Sequence, residues 1–312
     1  MITNSKIAWG DQLGAQLITL AELMYIAEET EQQIVFWEEL RNYRRGYQFL
    51  DVFDVSDVTL ISRCGSLLKK IVSVYSHGGK KGSWQKQMKR IYQSRIHNIA
   101  DSVVYRLVWL HYRDFDCKKG NENSLHASPE ILKLSKQINY DLQDGFGTYQ
   151  DWKKYESAIQ KRLTFKQNIK AEAMQQYQNL SDGKETVAVH FRRTDYLVLA
   201  SLNLGAEYYH EAMSHFDKDK VRFLVFSDDI EGCKTLELFN GIDAAFVSGN
   251  CPGVDMCLMS LCDNNIIANS TFSFWGAFLG SKKKKVVCPR DYAGEGGMYM
   301  NGNYYPESWI AI

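Results

Sequence analysis

From Thr186 to Cys288 the chain alternates short apolar, β-branched runs with stretches the length of a crossover helix, and few folds can be written in that order. The runs span residues 186–191, 222–227, 244–247, 264–268 and 285–288, and the intervening stretches span 206–216, 230–239, 253–262 and 271–280. Strands apolar on both faces predict a parallel sheet covered by helices on either side. In such a sheet ligands bind beyond the carboxyl ends of the strands, so the residues that end each run carry more information than those within it.

Three runs end in polar residues. The first ends in His190, Arg192, Arg193 and Asp195. Alternation along a strand places His190 and Arg192 on one face and Arg193 on the other. The planar fork of Arg192 suits the oxygens of a diphosphate, whereas Arg193 suits an anchor of the loop, with Asp195 as its nearest partner. The second run ends in Ser227, Asp228 and Asp229. Asp229 fits the cap of a helix starting at Ile230, and Asp228 fits the N–H donors of a base such as guanine. In the third, Asn269-Ser270-Thr271-Phe272-Ser273 breaks a strand and opens an apolar helix, which leaves N–H groups and hydroxyls for an anion. A surface turn tied by its own ion pairs would explain the first ending alone, but not all three.

At 312 residues the length predicts two domains. A polar turn near Leu180–Lys184 divides the chain into 1–180 and 181–312. In the first half Lys6–Trp9 reads as an opening strand, Leu13, Leu17, Leu20, Met24 and Ala27 recur at helical spacing, and Ile34–Trp37 reads as a second strand. Between about Asp57 and Asn179 the patterns are mainly helical, with 103–112 a possible strand and 153–177 one or two long helices. Thirty-seven basic residues balance thirty-seven acidic ones, which argues against a broad nucleic-acid-binding face. No basic start leads into a long apolar segment, so a cytoplasmic protein with at most peripheral membrane contact is expected. Seven cysteines without paired CxxC spacing read as reduced and mostly buried, not as disulfides or structural zinc. Asp217-Lys-Asp219 reads as a turn and not a metal site. The basic loop His77–Arg90 reads as a solvated loop, with an acceptor or lipid-phosphate role as the alternative. Trp84, Tyr105 and Trp109 are candidate stacking surfaces for a sugar, the last two fitting core packing better.

His190-Phe-Arg192-Arg193-Thr-Asp195-Tyr196 resembles the HxRRxDY motif of the bacterial α-1,2-fucosyltransferases. Phe226-Ser-Asp228-Asp229, the stretch from Leu258 to Trp275 and the closing Tyr305-Pro306-Glu307-Ser-Trp309 are similar to that family's later segments, and they follow in its order. Leu13-Gly14-Ala15-Gln16-Leu17 resembles its LGNQL turn, with alanine in place of asparagine. The resemblance implies an α/β fold of two Rossmann-like domains facing a cleft, the metal-independent B-type glycosyltransferase architecture, with no cofactor. It further implies transfer of L-fucose from GDP-β-L-fucose, with inversion, to the 2-hydroxyl of a galactose-terminated oligosaccharide or lipid-linked glycan during O-antigen or related surface-polysaccharide synthesis. Donor contacts would come from Gly14, Gln16, His190, Arg192, Asp228, Ser270, Thr271, Phe272 and Ser273. Arg192 would hold the β-phosphate, and His190 and Asp228 the guanine. Arg192 and Asp195 are the candidate catalytic residues, with Asp195 as the first candidate for a general base although it also pairs naturally with Arg193. Glu207 and Asp11 are weaker candidates, and a loosely bonded transition state can do without a strong base. A transferase of another GDP-sugar and a non-catalytic sugar-nucleotide-binding protein are the alternatives.

Overall fold

The computed structural model describes residues 1–7, 11–41, 45–61, 112–116, 129–143, 147–194, 203–280, 285–291 and 304–312. The segments 103–111 and 77–90, Trp84, Tyr105, Trp109, Cys64, Cys117 and Asp195 lie outside the described residues.

The first domain comprises β1 (Ile2–Thr3), α1 (Leu13–Thr30), β2 (Ile34–Trp37), α2 (Gln48–Val52), β3 (Phe53–Asp54), β4 (Val58–Ile61), β5 (Arg113–Asp116), β6 (Tyr140–Gln143), α3 (Tyr149–Trp152), α4 (Glu156–Arg162) and β7 (Thr164–Phe165). Its main sheet runs β4-β2-β1-β6-β5, with every pairing parallel. The first described strand is Ile2–Thr3, with Ile2 in register with both Ile34 and Tyr140. Of the expected opening strand, Lys6 and Ile7 lie in a turn, and Ala8 and Trp9 lie outside the described residues. Strands β4, β5 and β6 likewise replace part of the mainly helical pattern expected there.

The second domain comprises α5 (Gln167–Ser181), β8 (Glu185–Phe191), α6 (Ala206–Ser214), β9 (Val221–Ser227), α7 (Ile230–Lys234), β10 (Ala244–Phe246), α8 (Pro252–Leu261), β11 (Asn264–Ile266), α9 (Thr271–Phe278), β12 (Val286–Cys288) and β13 (Ile310–Ala311). Its sheet is parallel throughout in the order β10-β9-β8-β11-β12-β13. Counted from β8, this is the 3-2-1-4-5-6 order of dinucleotide-binding folds, and the chain reverses its direction of travel between β8 and β11. The five expected strands are present, and the closing two-residue strand adds a sixth.

Side chains of β8 alternate between two separate cores. Val187, Val189 and Phe191 pack with Tyr209 and Met213 of α6, while Ala188 packs with Ile169 of α5 and Val254 of α8. Helix α5, which precedes the expected boundary turn, therefore packs with the second sheet. In the opposite sense, Phe274, Trp275 and Phe278 of α9 join the core of the first domain. Trp275 stacks on Trp152 with centroids 5.8 Å apart and planes 10° from parallel. Its indole N–H donates to the Gly14 carbonyl at 3.1 Å. Aromatic pairs of this kind contribute about 0.5–1.5 kcal/mol beyond area burial, so α9 fixes one domain against the other.

Candidate active site

Beyond the carboxyl ends of β8 and β11, a cleft of about 520 Å³ opens between the domains. The second domain lines it with His190, Arg192, Asp228, Asp255, Ser270, Thr271 and Phe272, and the first with Asp11, Gln12, Gly14 and Arg45. Strands β8 and β11 are hydrogen-bonded neighbours, so the end of one and the helix that follows the other must meet at this point.

Register sets the charges. His190 stands opposite Phe226 and Phe191 opposite Ser227, which carries Arg192 to the level of Asp228 and Arg193 to that of Asp229. Both pairs form: Arg192 reaches Asp228 at 3.1 Å, and Arg193 reaches Asp229 at 3.0 Å. Arg193 thus pairs with Asp229, which the parallel register puts beside it; Asp195, its expected partner, lies outside the described residues. Asp229 also accepts the Gly232 N–H at 3.0 Å, the expected cap of α7. Asp228 accepts from the Arg193 N–H at 2.9 Å and from the Thr194 hydroxyl. Burial alone would raise the Asp228 carboxyl, but these hydrogen bonds and the Arg192 charge hold it below the ordinary range.

His190 is 5% exposed, and its Nδ1 has no hydrogen-bond partner among the described residues. Burial lowers its pKa to about 4, with Asp228 pulling upward and Arg192 downward, so the ring is neutral at physiological pH. Its ring lies 5.7 Å from that of Phe272, at the start of α9. That helix begins at Thr271 after Ser270, which offers no side-chain cap, and α1 begins after Gln12, also without one. The first turn of a helix leaves N–H groups without intrahelical partners, so two helix starts present donors toward one space.

Gly14 allows these helix starts to meet. A Cβ there would lie 2.5 Å from the Phe272 nitrogen and 2.7 Å from the Thr271 carbonyl carbon, both backbone atoms with no room to yield. Gln16 and Ser273, expected at the donor, stand behind the cleft instead, and both are fully buried. The Gln16 amide donates to the carbonyls of Asp11 at 3.1 Å and Gly46 at 2.9 Å, tying the two first-domain loops of the cleft together. The Ser273 hydroxyl turns back onto the Ser270 carbonyl at 3.1 Å. Glu207 is exposed at the start of α6 and is not among the residues lining the cleft.

Asp255 escaped the sequence reading. It lies in the first turn of α8, accepts from Asn250 at 2.9 Å, and burial raises its carboxyl above the ordinary range. Asn250 is held in turn by Gln176 of α5 at 2.9 Å. The signal was Cys251-Pro-Gly-Val-Asp255, in which a proline and an early acid read as a plain helix start. Among the described residues no cluster of three His, Cys, Asp or Glu side chains is placed to hold a metal ion. No described helix is long and apolar enough to cross a membrane.

Residues 136–312, more than half of the chain, match the model of glycosyl transferase family 11. An α-1,2-colitosyltransferase of Escherichia coli is 36% identical over 137 residues, which cover 41% of this chain and 47% of that protein. The O-antigen biosynthesis glycosyltransferase WbnK of Escherichia coli is 34% identical over 146 residues, covering 43% and 46%. The matched stretch thus spans about half the length of these curated relatives. A crystal structure of POFUT1 in complex with GDP aligns with a TM-score of 0.50 at 14% identity, over 92% of this chain and 97% of that one. That likeness concerns the fold, two Rossmann-like domains across a cleft, as in B-type glycosyltransferases.

Proposed function

The chain belongs to glycosyl transferase family 11, and from that premise we propose that it is an inverting transferase. It moves L-fucose from GDP-β-L-fucose to the 2-hydroxyl of a β-galactoside, in the assembly of O-antigen or a related surface polysaccharide. One observation carries the reading: Arg192 and the start of α9 line the same cleft, where β8 and β11 end side by side.

A pyrophosphate placed there meets a guanidinium, the N–H groups of a helix start and, across the cleft, the close backbone of Gly14. The planar fork of N–H donors on the Arg192 guanidinium matches the oxygens of a phosphate. As the bond from fucose C1 to the β-phosphate oxygen lengthens, charge grows on that oxygen, and these donors stabilise it without reorganising. We assign the guanine N–H donors to Asp255 in preference to Asp228, whose two oxygens already accept from Arg193 and Thr194. Neutral His190, whose Nδ1 has no partner among the described residues, remains the second candidate base contact. Arginine and helix-start donors neutralise the leaving group in this scheme, so transfer requires no added metal.

Colitose lacks the 3-hydroxyl of fucose, and a colitosyltransferase is among the relatives, so the donor is the point to test. The purified protein is incubated with GDP-fucose, GDP-colitose or GDP-mannose and a panel of β-galactosides, with and without EDTA. Fucosylated product in similar amounts with and without chelator supports donor, reaction and metal independence together. Transfer from another donor alone replaces the fucose assignment. GDP binding with no transfer to any acceptor favours a non-catalytic sugar-nucleotide-binding protein.

A further inference from the structure

The inference rests on the reading of the cleft as a sugar-nucleotide transferase site, and it concerns the group that receives the acceptor's proton. Among the described residues, the ionisable side chains lining the cleft are His190, Arg192, Asp228 and Asp255 from the second domain and Asp11 and Arg45 from the first; Asp195 lies outside the described residues. The second-domain carboxylates are engaged: Asp228 by Arg192, Arg193 and Thr194, and Asp255 by Asn250. His190 is a neutral ring in the wall on the same side as Arg192.

Asp11 is placed differently. It belongs to the opposite wall, at the loop that leads into α1, and no described donor hydrogen-bonds its carboxylate. Its position is nevertheless fixed, because Gln16 grips its backbone carbonyl at 3.1 Å and the Gly46 carbonyl at 2.9 Å, with Arg45 adjacent to the latter. We propose that Asp11 is the general base that accepts the proton of the attacking acceptor hydroxyl.

Geometry gives the division of labour. The leaving diphosphate is held by Arg192 and the start of α9 on the second-domain wall, and inversion requires the nucleophile on the far side of the anomeric carbon. In one displacement, a lone pair of the acceptor oxygen forms the bond to sugar C1. The C1–O bond to the β-phosphate breaks, its electron pair leaving with GDP. The hydroxyl proton passes to the Asp11 carboxylate and then to water, so donor and acceptor yield glycoside, GDP and one proton. Burial raises the Asp11 carboxyl above the ordinary range, which strengthens it as a base, while Arg45 draws it partly back and favours the ionised form.

The test compares the unmodified protein with Asp11→Asn, which leaves the backbone carbonyl gripped by Gln16 unchanged, and with Asp11→Glu. At pH 7, kcat of Asp11→Asn falls by about 10²-fold or more, while calorimetry shows GDP affinity unchanged. Asp11→Glu recovers part of the lost rate, and the acid limb of the kcat–pH profile disappears in Asp11→Asn. Ionisation of Asp255, on the base side, is read separately, since Asp255→Asn raises the donor KM and leaves that limb in place. The proposal is overturned if Asp11→Asn keeps kcat within about threefold, if its acid limb persists, or if GDP affinity falls in step with rate. Failure of the underlying reading looks different: the unmodified protein then transfers no sugar from any GDP-sugar, and both fall together.

Discussion

On the second-domain side of the cleft the described charges are tied into the sheet. Arg192 meets Asp228, Arg193 meets Asp229, and Asp255 is fixed through Asn250 to Gln176. The first-domain side has a glycine pressed against the start of α9 and an aspartate that, among the described residues, is hydrogen-bonded only through its backbone. Groups fixed in advance suit a charge that develops at a known place, as on a leaving diphosphate. A carboxylate without donors of its own suits a proton that arrives with a second substrate. The contrast fits the proposed division of the reaction, with the leaving group on the second domain and the nucleophile on the first.

The largest effect expected from this contrast is at Arg192. Arg192→Ala lowers kcat by about 10²–10³-fold in a steady-state assay, the loss typical of one donor to a developing oxyanion. Arg193→Lys, whose partner Asp229 does not line the cleft, stays within about threefold, as expected of a partly exposed ion pair. Equal losses in the two variants would erase the distinction between cleft and scaffold.

Next is Gly14→Ala, which forces a methyl group against backbone atoms of Thr271 and Phe272. Overpacking of this kind costs about 1–3 kcal/mol, read as a lower denaturation midpoint together with weaker GDP binding. A variant with unchanged midpoint and affinity would show that the two helix starts do not need this contact.

The smallest effect concerns the scaffold of the first wall. Glu22 of α1 is fully buried, neither carboxylate oxygen has a hydrogen-bond partner among the described residues, and burial, then the Asp151 charge, raises its pKa well above the ordinary value. Its folded pKa exceeds its unfolded one, so its contribution is complete below the ordinary glutamate value of about 4.3. Above that value the unfolded chain sheds a proton that the folded chain keeps, and stability falls until the folded pKa is passed. Glu22→Gln removes this dependence, so its urea midpoint gains on the unmodified protein between pH 5 and pH 8. A constant difference between the two proteins over that interval would contradict the assignment.

The second sheet was legible because β8 and β9 are buried on both faces, which makes continuous apolar runs such as Val187-Ala-Val and Phe223-Leu-Val-Phe. Strands of the first domain lack that signature for physical reasons. Strand β1 is two residues long and has no period to detect. Among the described residues, Arg113-Asp-Phe-Asp is an edge strand with a neighbour on one side only. Central β6 carries Asp141, a buried acid that accepts the Ser5 N–H at 2.9 Å and breaks the apolar pattern. At the site, the residue types of Arg192, His190 and the helix start could be read from the strand ends. The Arg192–Asp228 and Arg193–Asp229 pairs depend on register between neighbouring strands, which no single run contains. Gln16 and Ser273 are polar residues whose bonds turn inward, a property of loop geometry that composition does not encode.

The most direct test of the central claim is a crystal structure of the protein with GDP bound. The account predicts the β-phosphate within hydrogen-bonding distance of both the Arg192 guanidinium and the backbone N–H groups of Thr271 or Phe272, with Gly14 facing it across the cleft. A diphosphate bound elsewhere, or one held by only one of these two elements, would contradict it.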